Sequence, residues 1–425
     1  MMGAILHIKN FGPIKEAEIG VKDFLVLAGP QSSGKSTISK LIYYFMSIQK
    51  LILDTQISTY NPAGVSLLSK VFIRLYERFL SMFEVSAGGT ESEIYFEYTN
   101  GEFVKILFPF SVNMEIEYSK RIYDYLNDSI TSGIMPDQAI KQKWNSSLNA
   151  IFGQETVMYI PAGRNITATM GRYLAYWFAT MNDDQKAQID YFSRKYIEEV
   201  IRLEPLFDMG LSGLAAKYDD KLSPERKKYG TAFRVLTEEL LNGEYRYKNG
   251  VEKLLLDNGE DIDIKYASSG QQEAVWISNI LMYYILTQEK TLFIIEEPEA
   301  HLFPDGQTLI TRLISIAHNA GNSVIFTTHS PYILGEVNNL FYANYLHNKG
   351  IIDFDDEVIA KYGLLEQNLL DINKSIAYFV KDGTAELCID EDTLMIDQDR
   401  IDGASNEING LFDEMVELER KHGKD

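Results

Sequence analysis

The segment Gly29-Pro30-Gln31-Ser32-Ser33-Gly34-Lys35-Ser36 constrains this chain more than any other. It matches G-x-x-x-x-G-K-[ST], a loop whose glycines let backbone amides curl around a phosphate. Its flanks agree. Phe24-Leu25-Val26-Leu27-Ala28 is a short apolar run that reads as a buried strand, and residues 36–50 put Ile38, Leu41, Ile42, Phe45 and Ile48 at helical spacing. Strand, glycine loop and helix in that order predict an α/β domain of the P-loop type. In such a loop Gly29, Ser32, Ser33, Gly34, Lys35, Ser36 and Thr37 form the phosphate cradle. Lys35 reaches the β and γ phosphates, the Ser36 hydroxyl ligates Mg2+, and the helix that follows aims its positive end at the anion.

Downstream, strand and helix patterns alternate. Residues 65–82, 119–129 and 137–151 read as helices, while Glu93–Tyr98 and Phe103–Leu107 flank Asn100-Gly101, a two-residue hairpin signal. Val157-Met158-Tyr159-Ile160 is a further buried strand, stopped by Pro161. Residues 167–241 look helical. Residues 245–247, 252–256 and 261–266, separated by Asn-Gly pairs, read as a small antiparallel sheet. A helix over 271–288, a strand over 291–295, a helix over 305–317 and a strand over 323–327 follow. The alternation predicts a largely parallel sheet covered by helices.

Three other segments carry chemistry. The strand ending in Glu296-Glu297 delivers two carboxylates, one suited to Mg2+ and the other to orienting or deprotonating an attacking water. His329, just past the strand Val324–Thr328, is placed either to bond a γ-phosphate oxygen or the lytic water, or to serve as a structural hydrogen-bonder. Ser268-Ser269-Gly270-Gln271-Gln272-Glu273 lies between a strand and a long helix. It is either a plain helix cap or a second anion site, and a second anion site beside one P-loop suggests a nucleotide shared between subunits.

Taken with Asn10-Phe11-Gly12-Pro13-Ile14, Tyr159-Ile160-Pro161-Ala162-Gly163-Arg164, Glu296–Pro304 and Thr328-His329-Ser330-Pro331, these segments resemble the ABC-type ATPases of the SMC, RecF and OLD lineage. They are most similar to AAA-annotated, OLD-like bacterial ATPases associated with phage defence. The resemblance implies an α/β ABC-ATPase head, a P-loop fold with a mixed sheet, carrying a β-hairpin and helical insertion and a helical lobe. It implies ATP and Mg2+ as ligands, Glu296 as the magnesium-associated acid, Glu297 as the catalytic glutamate and His329 as the switch histidine. Ser269 and Gly270 match the signature that closes on the nucleotide of a second protomer, although Gln271 stands where transporters carry a second glycine. Arg164 falls where relatives present a γ-phosphate sensor; an arginine capping a nearby carboxylate is the alternative. On this pattern the chain divides into residues 1–50 with the P-loop, a mixed insertion at 51–154, a core strand and sensor loop at 155–166, a helical lobe at 167–243, the second part of the head at 244–350, and an acidic C-terminal hairpin and helix at 351–425, the last a candidate partner-binding segment.

Composition narrows the partners. The 425 residues include 61 acidic and 40 basic side chains, a formal charge of −21, and residues 351–425 hold 20 acids against 7 bases. Such a chain is a poor non-specific binder of nucleic acid, which needs clustered Lys and Arg. The best local basic patch is Lys217, Lys221, Arg226, Lys227, Lys228 and Arg234, which a solvated helix face also explains. No stretch approaches the ~18 apolar residues of a membrane span, the N-terminus lacks a signal-peptide pattern, and the single cysteine, Cys388, excludes intrachain disulfides. A cytoplasmic protein is expected. OLD nucleases continue into a Toprim domain, and residues after His329 lack its strand-glycine-glutamate motif, so the expectation is an ATP-dependent head-to-tail homodimer controlling a separate effector protein. The alternative is a RecF- or SMC-like protein whose DNA binding is gated by ATP.

Overall fold

The computed structural model describes residues 3–58, 66–84, 91–109, 113–128, 136–153, 155–256, 258–354, 361–390, 393 and 395–397. The chain opens on a hairpin, β1 (Ala4–Phe11) and β2 (Ile14–Val21), turned by Asn10 and Gly12 at positive φ. Next come β3 (Phe24–Ala28), the glycine loop, α1 (Lys35–Met46) and α2 (Ile48–Ser58). The helix expected over 36–50 is thus two helices, broken at Ser47. Then follow α3 (Leu67–Met82), β4 (Ser92–Glu97), β5 (Phe103–Phe108), β6 (Glu115–Tyr118), α4 (Lys120–Asp128), α5 (Gln138–Phe152) and β7 (Thr156–Ile160). A run of helices comes next: α6 (Asn165–Met170), α7 (Leu174–Thr180), α8 (Asp183–Ala187), α9 (Tyr191–Leu203), α10 (Gly210–Tyr218) and α11 (Pro224–Leu241). The chain returns through β8 (Glu244–Lys248), β9 (Val251–Leu255), β10 (Asp261–Asp263), α12 (Ser269–Thr287), β11 (Thr291–Glu296), α13 (Pro304–Asn319), β12 (Ser323–Thr328) and α14 (Pro331–Asn348). It ends on β13 (Ser375–Lys381), β14 (Thr384–Leu387) and two short strands at Ile389–Asp390 and Met395–Ile396.

Six strands form the central sheet in the order β14-β13-β3-β12-β11-β7, parallel except for β14. Both faces are covered, so β3, β11 and β12 are buried along their whole length. Alternate residues feed two cores: Phe24, Val26, Phe293 and Ile295 pack with α12, α13 and α14, while Leu25, Leu27, Leu292 and Ile294 pack toward α1 and the second sheet. That second sheet, β2-β1-β4-β5-β6, is antiparallel throughout. The mixed α/β expectation with parallel and antiparallel sheets therefore holds.

Two placements have no precedent in the sequence pattern. The hairpin β4–β5 pairs with β1, so the N-terminal hairpin and the residues beyond 91 build one sheet. β13, from the acidic C-terminal stretch, lies directly beside the P-loop strand, Tyr378 opposite Leu27. The helix expected after the hairpin in the acidic 351–425 segment, over 404–422, lies outside the described residues. Among those described, no helix is long and apolar enough to cross a membrane. Half of the basic patch of the lobe is neutralised: Lys217 pairs with Asp208, Lys227 with Asp219 and Arg234 with Glu238, while Arg226 donates to the neutral Ala320 carbonyl.

Candidate active site

The parallel strands align their carboxyl ends, with Ala28 opposite Thr328 and Glu296 opposite Thr327. In sheets of this kind ligands bind outside that edge. Gly29 opens the loop there at φ 144°, and a Cβ would stand 2.2 Å from the Val380 carbonyl oxygen of β13, so only glycine fits. Ser32 and Gly34 also take positive φ, and Gly34 immediately precedes α1, whose first-turn N–H groups have no intrahelical acceptor. Lys35 is buried, and its ammonium donates to the carbonyls of Gly29 at 2.7 Å and Pro30 at 2.6 Å. Burial lowers the pKa of this ammonium from its ordinary value, against the opposing pull of the Glu297 and Glu299 charges. The loop cation and two acids that follow β11 therefore share one electrostatic neighbourhood. The Ser33 hydroxyl oxygen is buried without a hydrogen-bond partner among the described residues. Ser36 is exposed, and Thr37 is half-buried beside Gly12.

Glu296 ends β11 as a buried carboxylate that accepts the Ala162 N–H at 3.3 Å. The Tyr159 hydroxyl lies 3.0 Å from the Ser39 hydroxyl, and burial, then the Glu296 charge, push the phenol well above its ordinary pKa. Glu297 turns the chain off the sheet at φ 43°, a left-handed conformation uncommon for a non-glycine residue. Its N–H donates to the Thr327 carbonyl at 3.1 Å and lies 3.2 Å from the Thr327 hydroxyl, which anchors the turn to β12. Glu299 is buried. One oxygen accepts from the Thr328 hydroxyl at 2.7 Å and the His329 N–H at 2.9 Å, while the other has no partner among the described residues. The His329 Nδ1 stands 3.5 Å from that Glu299 oxygen and 3.8 Å from Glu297. Sequence reasoning assigned Glu299 no role. Its signal was present in the Glu-x-Glu spacing of 297 and 299, but a second acid in a turn is usually solvated.

Arg164 is fully buried. Its guanidinium donates to the carbonyls of Pro161 at 2.7 Å, Glu296 at 2.6 Å and Glu297 at 3.0 Å, and its Nε lies 3.2 Å from the Glu273 carboxylate. Glu273 in turn accepts the Arg164 N–H at 3.1 Å and the Asn165 N–H at 3.3 Å. Of the two sequence alternatives, the carboxylate partner is the one the geometry contains. The side chain spends its donors on protein carbonyls rather than on the loop at Lys35.

Ser268 and Gln271 form a reciprocal capping box at the start of α12, and Gln271 also donates to the Leu241 carbonyl at 2.6 Å. The glutamine that departs from the transporter pattern thus has a local structural reason. Ser269 is exposed, whereas Gly270 is buried, where a Cβ would meet the His301 carbonyl at 2.7 Å. No hydrogen bond or ion pair among the described residues joins 268–271 to the glycine loop of the same chain.

Residues 4–159 and 155–334 match the family model described as AAA ATPase domain. A search of curated proteins returned no match. Among solved structures, an Smc head bound to the C-winged helix domain of ScpA is 11% identical, with a TM-score of 0.40, 90% of this chain and 95% of that chain being covered. An Smc head with an extended coiled coil, bound to the C-terminal domain of ScpA, from Pyrococcus furiosus is 11% identical, with a TM-score of 0.39 and coverage of 90% and 94%. The SMC head domain from Thermotoga maritima is 12% identical, with a TM-score of 0.35 and coverage of 79% and 91%.

Proposed function

The chain belongs to the AAA ATPase domain family, and from that premise we propose that it binds ATP with Mg2+ and hydrolyses it to ADP and phosphate. The observation that carries this reading is the meeting of Lys35, Glu297, Glu299 and His329 at one edge of the parallel sheet. The unpartnered Ser33 hydroxyl and the exposed Ser36 suit a triphosphate cradle. Mg2+, held by Ser36 and Glu296, would neutralise charge on the phosphates.

Lys35 exchanges its bonds to Gly29 and Pro30 for phosphate oxygens. Glu297, half-exposed, accepts the proton of a water that attacks the γ phosphorus as the bond to the leaving ADP oxygen breaks. His329 bonds the same water or the departing phosphate, and Glu299 fixes the histidine's backbone N–H. Arg164 acts through others, as a positioning residue that ties the carbonyls of Glu296 and Glu297 to the helix opened by the signature.

The site is completed by a second copy of the chain, whose Ser269 faces the γ phosphate. Support comes from exposed apolar side chains close in sequence to the site segments, Tyr266 and Phe303 each at 77% relative exposure, with Ile166 and Tyr332 also exposed. Such residues dominate interface energetics. In this reading ATP closes the dimer, and the dimer regulates a separate effector protein in antiphage defence. The support for that last step is the resemblance seen in the sequence. Glu297→Gln tests the chemistry: ATP affinity survives while turnover falls about a hundredfold or more. Hydrolysis at the parental rate would remove Glu297 from the role. Lys35→Ala should lose ATP binding at the loop.

A further inference from the structure

At the opposite end of the sheet from the P-loop lies a second concavity. The amino ends of β7 and β11, with Thr156 and Thr291, floor a cleft of about 650 Å³ between α1–α2 and α9. A shallower mouth of about 390 Å³ continues from it, and Asp54, Arg78, Tyr191 and Lys195 line both. The volume suits a nucleotide-sized ligand.

The placement of arginines singles this cleft out. Among the described residues Arg121, Arg164, Arg202, Arg234, Arg246 and Arg312 each have a carboxylate within ion-pair distance. Arg74, Arg78, Arg194 and Arg226 have none, and the first three line the mouth. In a chain of charge −21, acids are plentiful, so three arginines left without one on a single concave surface call for an external anion. Their present bonds are to neutral acceptors: Arg74 to the Thr55 hydroxyl, Arg78 to the Ser47 carbonyl and hydroxyl, Arg194 to the Lys186 carbonyl. These leave most guanidinium N–H groups unused. The acids sharing the mouth are Asp54 and Glu77, while Lys195 is matched by Glu198.

The inner cleft has a different character. Of its lining cations Lys195 is paired with Glu198 and Arg202 with Glu199, and the carboxylates of Asp54, Glu155 and Glu289 line it as further hydrogen-bond acceptors. Amides of Asn145 and Asn149 and the rings of Tyr43, Tyr191 and Tyr284 line it beside these acids. Arg194 already lies over the Tyr191 ring at 5.5 Å. One end therefore takes phosphate, and the other takes a planar, hydrogen-bonding group.

We propose that this cleft is a second ligand site, for a phosphorylated small molecule of nucleotide size, with its phosphate on Arg74, Arg78 and Arg194. It stands on different residues from the P-loop and does not depend on hydrolysis there. The test is calorimetric titration of the full-length Lys35→Ala chain with ATP, AMP and inorganic pyrophosphate in turn. ATP or AMP binds with one equivalent per chain, and pyrophosphate binds more weakly because it lacks the ring. Adding Arg194→Glu weakens that binding by about tenfold or more, since a carboxylate replaces a guanidinium that donates hydrogen bonds to the phosphate. Arg74→Glu does the same, so a folding defect in one variant leaves the other to decide. Failure of all three probes to bind at millimolar concentration overturns the proposal. So does binding that neither charge reversal affects, which would report residual affinity of the damaged P-loop. A parental chain with one equivalent, lost on Arg194→Glu and kept on Lys35→Ala, would instead remove the P-loop reading and leave this site standing.

Discussion

Arg164 bears on the candidate site through the backbone of its residues rather than through their side chains. Its guanidinium holds the carbonyls of the two consecutive glutamates that end β11, and Glu273 holds the guanidinium. Glu297 sits at φ 43°, a strained position that persists only where its surroundings impose it. Arg164→Lys keeps the charge but loses the fork that spans three carbonyls. We expect kcat to fall by about tenfold or more with the KM for ATP changed little, and Glu273→Gln to act in the same direction without adding fully to it. A loss confined to thermal stability, with kcat unchanged, would make Arg164 a packing residue only. The sequence pattern left Arg164 between sensor and cap because a motif states which residue follows a strand, not which carbonyls it meets. The same limit hid Glu299, whose burial depends on β12 arriving with Thr328 and His329.

Among the elements, those defined by local periodicity were legible: β3 with its loop and α1, the hairpin β4–β5, the small sheet β8–β10, and the strands β7, β11 and β12. What was not legible was pairing across long separations. Nothing in Ala4–Phe11 says that β4 will be its neighbour, and nothing in Ser375–Lys381 says that it will flank the P-loop strand. Period-2 patterns specify a face, whereas partner choice is settled by the packed whole. An unforeseen feature of this kind joins the small sheet of β8 and β9 to α12. Glu252 is buried and accepts from the Tyr245 hydroxyl and the Trp276 indole, each at 2.8 Å, and Glu204 is buried near it. Burial, then the Glu252 charge, push Glu204 up to about 8, and burial raises Glu252 to about 7. A carboxyl whose folded pKa exceeds its unfolded value of about 4.3 stabilises fully below that value and loses its contribution as pH rises through the folded one. Stability should therefore decline between about pH 5 and pH 8 as these carboxyls lose their protons. Glu204→Gln should flatten that decline, its Tm exceeding the parent's by several degrees above pH 8 and converging with it near pH 5. A parental Tm that is level across this interval would contradict the buried-carboxyl account.

For the whole molecule, the claim is that hydrolysis belongs to a pair of chains. Ser32 and Ser36 of the P-loop and Ser269 are all exposed, and no described polar contact connects the loop with Ser269 within one chain. Gly270 is a poor probe, because any side chain there strikes the chain's own His301 carbonyl. Ser269→Glu is better: it projects a carboxylate outward where the γ phosphate of the neighbour would dock. The decisive measurement is ATPase activity on mixing Lys35→Ala chains with Ser269→Glu chains. Each variant alone should be nearly inactive. In mixed dimers one site combines an intact P-loop with an intact signature, so random pairing restores about a quarter of the parental activity. Parental activity from Ser269→Glu alone, or no recovery in mixtures shown to contain mixed dimers, would contradict a site shared between protomers.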